Sequence, residues 1–261
     1  MSSGQPVSVE REGGLAIVTF DSPPLNLFDD ALSAGLVSAV DELEASPPRA
    51  VLFRAEGRVV SGGVDVSVFA ALSGPEQATA LFEELVAVAR RVDHLPCPTM
   101  FAAHALCLTW AFELALACDL IVAAESASFG LVERVIGLTP AMGGTQRLAE
   151  RAGTGRAREF VMAGRPFSAV ELERWNVINR LLPDEGFADA ALTLGRELAT
   201  GPTLAHAATK QVIHDYLEGG VEGANDRVPA VAGELFASED LQNAVRSFLE
   251  QGPGKATFEG R

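Results

Sequence analysis

One long apolar run in the middle of the chain constrains the fold more than any other feature of the sequence. From Phe101 to Cys118 the run is interrupted by polar side chains only at His104, Thr109 and Glu113. It is long enough to raise the question of a membrane span, but these polar residues and the lack of closely flanking lysine or arginine argue against one. A buried strand that leads into a buried helix is the better interpretation, and it places the centre of a core here.

Around this run, segments with strand and helix periodicity alternate. The pattern predicts a hairpin of strands over 7–11 and 15–20, further strands over 50–55, 99–103, 120–123 and 177–181, and helices from Asp29 or Asp30 to Ala45 and over 77–92. Such alternation is typical of an α/β fold. From about residue 195 every segment has a helical pattern. We therefore predict an α/β core over residues 1–194 and a helical C-terminal region over 195–261.

Composition and charge exclude several classes of function. The chain of 261 residues is 48% hydrophobic and 21% charged, as in ordinary globular proteins. Its net charge of −15 argues against nucleic acid and against a membrane surface as partners. The three cysteines lack metal-ligand spacing, which predicts buried free thiols and no metal site. The N-terminal stretch lacks the features of a signal peptide, so we expect a cytoplasmic protein.

Two carboxylates are the best candidates for chemistry. Glu113 lies within the apolar run, where burial of a carboxylate is unfavourable unless it has a partner or a task. Glu133 follows twenty residues later, after another apolar stretch. Two poorly solvated carboxylates are the usual equipment for moving a proton on and off a substrate. The alternatives are an arginine partner for Glu113 and a surface ion pair between Glu133 and Arg134.

Two segments indicate backbone groups close to a ligand. In residues 61–65 two glycines allow a tight turn between a strand and a helix, although a plain turn with Asp65 as a helix cap explains them equally. The segment from Thr109 to Glu113 opens a helix, and the amides of a first helical turn have no helical acceptor. They are suited to stabilising a developing oxyanion. Trp110 shares a helix face with Glu113, although it is equally explained as a core residue.

Taken together, these motifs resemble the crotonase superfamily of enoyl-CoA hydratases and isomerases. The similarity extends from about Val7 to Phe258. It rests on the segments 24–27 (PLNL), 60–65 (VSGGVD), 112–119 (FELALACD), 129–133 (FGLVE), 143–148 (GGTQRL), 163–168 (AGRPFS) and 176–181 (NVINRL), and on the final helix from Glu239 to Phe248.

The resemblance implies a crotonase-like spiral of ββα units, whose C-terminal helices assemble the chain into homotrimers or dimers of trimers. Its substrate would be an acyl-CoA thioester, with coenzyme A as part of the substrate and no other cofactor. Glu113 and Glu133 fall on the catalytic glutamates, and the backbone amides of Val64 and Trp110 on the oxyanion hole. The residues implied in binding substrate and CoA are Arg58, Ser61, Gly62, Asp65, Val66 and Phe248.

The chain departs from the family pattern where three glycines usually precede the first glutamate. It has Thr109, Trp110 and Ala111 there, and the indole must occupy space that an acyl chain would otherwise use. Because both glutamates are present, the resemblance implies hydration of a 2-enoyl-CoA, with the family's place in fatty acid metabolism. The alternatives are an isomerase, a thioester hydrolase and, from another class, a non-catalytic acyl-CoA-binding protein.

Overall fold

The computed structural model describes residues 4–261, and its elements alternate as the sequence predicts. The first three residues, part of the stretch without signal-peptide features, lie outside the described residues. The strands are β1 (Val7–Glu12), β2 (Leu15–Phe20), β3 (Ala50–Ala55), β4 (Thr99–Ala103), β5 (Cys107–Leu108), β6 (Leu120–Ala124), β7 (Ser128–Gly130), β8 (Phe167–Ser168) and β9 (Arg180–Leu182). The helices are α1 (Asp30–Ala45), α2 (Ser67–Ala70), α3 (Pro75–Asp93), α4 (Trp110–Ala117), α5 (Gly144–Ala152), α6 (Thr154–Ala163), α7 (Ala169–Arg174), α8 (Phe187–Thr200), α9 (Thr203–Glu234) and α10 (Glu239–Gln251), with 3₁₀ turns at Glu133–Ile136 and Leu235–Ala237.

Two sheets organise the core. The larger has the strand order β1-β2-β3-β4-β6-β9, in which β1 is antiparallel to β2 and all other neighbours are parallel. The smaller has the order β5-β7-β8. A bridge between Ser61 and Cys107 joins the loop after β3 to β5. The segments that follow β3 and β4 therefore meet at the carboxyl edge of the larger sheet, which is where open α/β sheets place their ligands.

The central apolar run is a buried strand followed by a buried helix, as predicted. All five residues of β4 and all eight residues of α4 are buried. Helix α4 packs against α3 and α5, so Glu113 enters the core on a helix covered from several sides. Within residues 4–261, no helix is both long enough and apolar enough to cross a membrane.

Local signals positioned several elements correctly. Asp29 caps α1, because its Oδ1 accepts a hydrogen bond from the Leu32 N–H at 2.8 Å.

The cysteines at 97, 107 and 118 are buried free thiols, and burial raises the pKa of each. In the described part of the chain, no cluster of three or more His, Cys, Asp or Glu side chains could hold a metal ion.

The strand predicted over 177–181 is displaced in the structure to β9, Arg180–Leu182. Val177 and Ile178 are buried, but they lie in the turn between α7 and β9. Asn176 begins this turn with a φ of 62°, which breaks the extended backbone. The apolar run therefore reflects core packing, and only its end pairs with β6.

The C-terminal region is helical from α8 to the end of α10 at Gln251, apart from short connections, whereas residues 252–261 form no helix although the sequence pattern predicted one there. Residue 195, at which we divide the chain, lies within α8, a helix that packs on β3. Helix α9 is broken at Gly220, where φ is 65°. Several large apolar side chains of α9, α10 and their connection are exposed: Ile213, Tyr216, Leu217, Val221, Phe236, Val245, Phe248 and Leu249.

Candidate active site

Glu113 is fixed by backbone amides in the loop that leads into α5 and in the first residue of that helix. Its side chain is 3% exposed, and its Oε2 accepts hydrogen bonds from the Met142 N–H at 2.8 Å and the Gly144 N–H at 2.7 Å. Burial raises the pKa of the carboxyl, and the amide donors offset part of this rise. Arg147 acts on Glu113 through its charge, but its ion pair is with Asp93. The partners of Glu113 are thus amides rather than an arginine.

The two glycines of this loop make the contact with Glu113 possible. Gly143 has a φ of 101°, a left-handed conformation that glycine adopts without strain. A Cβ at Gly144 would lie 2.6 Å from Glu113 Cγ, which is too close for any side chain. In the sequence, this segment stood out only as part of the family motif 143–148, and in the structure its backbone approaches the Glu113 carboxylate closely.

Glu133 begins a 3₁₀ turn and is half-buried. Its Oε2 is buried and has no hydrogen-bond partner among the described residues. Burial, and secondarily the charge of Glu113, raise the pKa of Glu133 to about 7. Arg134 points elsewhere and donates to the carbonyl oxygens of Met162 at 2.7 Å and Ala163 at 2.9 Å. The surface ion pair considered as the alternative for Glu133 is therefore not the arrangement found.

Glu113 and Glu133 line one small cavity of about 30 Å³. The rest of its lining is apolar except for Thr139, and consists of Phe28, Val64, Val68, Phe69, Leu81, Phe82, Leu85, Trp110, Leu138, Ala141 and Met142. Leu81 and Leu85 belong to the helix predicted over 77–92, which is α3 in the structure and whose buried residues are Val88, Ala89 and Val92. A volume of this size holds roughly one to three water molecules. Such surroundings strengthen electrostatic interactions between the carboxylates and anything bound there.

The two predicted oxyanion donors are brought to this cavity from different elements. Val64 follows the turn after β3 and lies opposite Phe28 in an isolated β-bridge. In this bridge the Phe28 N–H donates to the Gly63 carbonyl oxygen, and the Asp65 N–H donates to the Phe28 carbonyl oxygen. Trp110 is the first residue of α4, where the N–H has no helical acceptor. Neither N–H has an acceptor among residues 4–261. Neither amide is therefore committed to a hydrogen bond within the described chain.

The indole of Trp110 is anchored in the core and also forms part of the cavity wall. Its Nε1 donates to the Asn26 carbonyl oxygen at 3.2 Å. The ring packs edge-on against Phe20, with centroids 5.0 Å apart, and at a tilt against Phe28 at 5.7 Å. Trp110 thus lines the cavity and is also a buried core residue, so both interpretations of this side chain apply.

Within the described chain, the predicted CoA-binding residues lie outside the lining of this cavity: Arg58, Ser61, Gly62, Asp65, Val66 and Phe248. Ser61 Oγ accepts a hydrogen bond from the Gly63 N–H at 2.9 Å, and Asp65 Oδ1 accepts one from the Ser67 N–H at 2.9 Å. These side chains stabilise the turn, as the plain-turn interpretation predicts, but the cap position of α2 is Val66, and Asp65 lies one residue before it. Arg58 and Val66 are exposed on the same loop, whereas Phe248 is exposed on α10.

Sequence reasoning missed the residues that complete the site. The amides of Met142 and Gly144 hold Glu113, and Phe69 and Phe82 cover the cavity, with their ring centroids 6.4 Å apart. The Gly143-Gly144 pair was the one available signal for the loop. No local pattern distinguishes Phe69 and Phe82 from ordinary core residues, because their role depends on contact between α2 and α3.

Comparison with known proteins places this chain in a family. A family model described as "Enoyl-CoA hydratase/isomerase" matches residues 10–261. A protein of Bacillus subtilis (strain 168) named "Probable enoyl-CoA hydratase" is 30% identical over 256 residues, which cover 97% of this chain and 98% of that protein. The crystal structure of enoyl-CoA hydratase subunit I from Geobacillus kaustophilus HTA426 superposes with a TM-score of 0.90 at 30% identity and covers 98% of both chains. This chain belongs to the enoyl-CoA hydratase/isomerase family and has the crotonase fold predicted from its motifs.

Proposed function

We propose that this protein is an enoyl-CoA hydratase that adds water syn across the 2,3 double bond of a 2-enoyl-CoA. The thioester oxygen would lie between the N–H groups of Val64 and Trp110. Donors positioned in this way stabilise the enolate charge that develops when the β-carbon is attacked, and each is typically worth on the order of 10² to 10³ in rate. Coenzyme A enters as part of the substrate, and no further cofactor takes part.

The observation that carries this proposal is the unlike environment of two carboxylates in one cavity. Glu113 has one oxygen held by two amides, so its orientation is fixed. Glu133 has a buried oxygen without a partner and a pKa of about 7. A carboxyl with a pKa near neutrality both accepts and releases a proton at neutral pH, which is what a proton shuttle requires. Paired carboxylates with different environments commonly have different roles.

In the proposed reaction a single proton passes through Glu133. Glu113 holds the attacking water through its second oxygen. Glu133 removes one proton from this water while the hydroxyl oxygen bonds to the β-carbon. The electron pair of the double bond moves toward the α-carbon and the thioester oxygen, and Glu133 returns the proton to the α-carbon. Both glutamates then end in the protonation state in which they began.

A panel of 2-enoyl-CoAs of increasing chain length tests the proposal directly. Hydration removes the conjugated double bond, so the absorbance of the enoyl thioester should fall with time. We expect turnover of short, unbranched substrates, because the cavity is narrow and apolar. A relative from Clostridium acetobutylicum, named "Short-chain-enoyl-CoA hydratase" and 26% identical, supports this choice. If no enoyl-CoA lost its conjugated absorbance, the proposed activity would be refuted.

A non-catalytic acyl-CoA-binding protein is the second candidate, and the narrow cavity favours it. Trp110 and its neighbours leave space for little more than water. Calorimetry with CoA and a saturated acyl-CoA at two salt concentrations separates the two functions when combined with the turnover assay. Binding without turnover would favour the binder. Because the chain is acidic, CoA affinity should depend on local groups such as the exposed Arg58 and should weaken with added salt.

Incubation with 3-enoyl-CoAs tests the isomerase alternative.

A further inference from the structure

The residue before Trp110 has a backbone conformation that branched side chains rarely adopt. Thr109 has a φ of 49° and a ψ of −117°. Positive φ is unfavourable for a β-branched residue, whereas glycine adopts it readily. The crotonase pattern usually has glycine at this position. Strain of this kind persists where the surroundings enforce it and is concentrated at functional sites, so the threonine side chain requires a physical reason.

The Thr109 side chain lies on the N–H side of the Trp110 peptide and next to Gly63. At a ψ of −117°, tetrahedral geometry makes the Cα–Cβ bond of Thr109 nearly eclipse the C–N bond of the peptide to Trp110, as seen along the Cα–C bond. The Trp110 N–H of a trans peptide points toward this same side. Opposite lies Gly63, where an added Cβ would be 3.5 Å from Thr109 Oγ1. The same Cβ would be 3.7 Å from Thr109 Cγ2, so the Thr109 side chain packs against the backbone of Gly63, the residue before Val64.

The Thr109 hydroxyl is the unsatisfied polar group of this residue. Its N–H donates to the Gly130 carbonyl oxygen at 2.8 Å, and its carbonyl oxygen accepts from the Glu113 N–H at 2.8 Å. By contrast, Oγ1 is buried and has no partner within residues 4–261. Buried hydroxyl groups in proteins are nearly always hydrogen-bonded, and each exception calls for an explanation. Three potential donors, namely this hydroxyl and the amides of Val64 and Trp110, thus have no acceptor within residues 4–261.

We propose that the Thr109 hydroxyl is a third hydrogen-bond donor to the thioester oxygen, beside the amides of Val64 and Trp110. The proposal rests on the acyl-CoA substrate of the proposed function. The proton stays on Oγ1 throughout, and the hydrogen bond strengthens as negative charge moves onto the thioester oxygen. A donor that gains strength in this way lowers the barrier rather than only improving substrate binding. Thr109 would then be a catalytic residue at a position usually occupied by glycine.

Three substitutions separate the hydroxyl from the shape of the side chain. Thr109→Val keeps the branched shape and removes the hydroxyl, Thr109→Ser keeps the hydroxyl, and Thr109→Gly restores the usual residue of the family. We expect Thr109→Val and Thr109→Gly to lower kcat on the order of 10²-fold with KM little changed, and Thr109→Ser to stay within about tenfold of the wild type. Thr145→Val is the control, because Thr145 Oγ1 is also buried without a partner but is not placed at the oxyanion hole.

Infrared difference spectra provide a readout that does not require turnover. The carbonyl stretch of a bound saturated acyl-CoA, labelled with ¹³C at the thioester, should lie at lower frequency in the wild type and in Thr109→Ser than in Thr109→Val or Thr109→Gly. If the wild type binds acyl-CoA but hydrates no enoyl-CoA, the proposed function fails, and the spectra still decide the role of the hydroxyl. Should Thr109→Val not fold, the comparison of the serine and glycine variants provides the same test.

Equal carbonyl frequencies in all variants, together with wild-type kcat in Thr109→Val or Thr109→Gly, would overturn the proposal. A faster Thr109→Gly variant would overturn it as well, since it would show that the threonine obstructs the hole. Failure of the wild type to bind any acyl-CoA would remove both this proposal and the proposed function.

Discussion

A single methyl group added at Gly144 should displace the Glu113 carboxylate. The Cβ of Gly144→Ala would lie 2.6 Å from Glu113 Cγ and 2.9 Å from its Oε2, whereas ordinary contact begins at 3.4 Å. Glu113 must therefore retreat by about 0.8 Å, the difference between 3.4 and 2.6 Å, unless α5 moves instead. Either movement weakens the hydrogen bonds that the Met142 and Gly144 amides donate to Oε2.

The consequence for catalysis follows from this displacement. A catalytic group misplaced by about 1 Å costs on the order of 10² in rate, which corresponds to about 2.7 kcal/mol in activation free energy. We expect Gly144→Ala to lower kcat by that factor on the best enoyl-CoA of the panel. Overpacking of a dense core also costs typically about 1–3 kcal/mol of stability, so the melting temperature should fall. Steady-state hydration rates and thermal unfolding measure the two effects.

Gly155→Ala is the matched control for this experiment. Gly155 lies in α6, and an added Cβ there meets nothing within 4 Å. Alanine in an open helical position should raise stability by roughly 0.5–1 kcal/mol and leave kcat unchanged. The argument would be refuted if Gly144→Ala matched Gly155→Ala in kcat, because the position of Glu113 would then not limit the reaction.

The remaining predictions concern the glutamates, the indole and assembly. Glu113→Gln and Glu133→Gln should each lower kcat by on the order of 10² or more, with the double variant losing less than the product, and full activity in either single variant would remove that residue from the mechanism. Because the pKa of Glu133 is raised from 4.5 to about 7 on folding, its contribution to stability is present below the unfolded pKa and is lost as pH rises through about 7. Glu133→Gln should therefore gain in melting temperature relative to the wild type as the pH is raised from about 5 to about 8.5, and a difference independent of pH would contradict this. Trp110→Gly should shift the substrate preference toward longer acyl chains and cost roughly 3–5 kcal/mol of stability. Hydration rates across a series of chain lengths and denaturant unfolding measure these two effects. Lost stability with an unchanged chain-length preference would show that the ring serves the core alone. Light scattering should show a trimer or a dimer of trimers, because α9 and α10 expose apolar side chains such as Phe248, and a stable active monomer would exclude it.

Local chemistry in the sequence accounts for much of the fold. The Asp29 cap, the alternating strands of the β1–β2 hairpin and the buried β4–α4 run each depend on residues close in the chain. These signals predicted the α/β order and the helical C-terminal region. The run at 177–181 was misleading because burial and sheet pairing produce the same apolar pattern when a segment is short. Only the contact of residues 180–182 with β6 distinguishes them.

The candidate site was less predictable, since its contacts join distant segments. The Gly144 amide binds Glu113 across 31 positions, and the Trp110 indole binds the Asn26 carbonyl across 84. The sequence marked Glu113 and Glu133 through their apolar surroundings, and Val64 and Trp110 as oxyanion donors through the family pattern. The structure places all four around one cavity. The sequence could not show that Glu133 Oε2 lacks a hydrogen-bond partner, because this depends on the Arg134 side chain pointing to the Met162 carbonyl oxygen instead of to Glu133.

The narrow cavity and its two unlike walls indicate how an acyl chain would be admitted. On one side the Trp110 ring is held by Phe20, Phe28 and a hydrogen bond to Asn26, so this wall is fixed by the core. On the other side α2 has no buried residue, and it covers the cavity through Phe69, which contacts Phe82 of α3. Segments with few buried contacts open at lower free energy than the core. If the proposed function holds, we expect an acyl chain larger than this cavity of about 30 Å³ to displace the α2–α3 wall rather than α4. The range of acyl groups accepted by the proposed enzyme would then be set jointly by the fixed indole and by how far this wall moves.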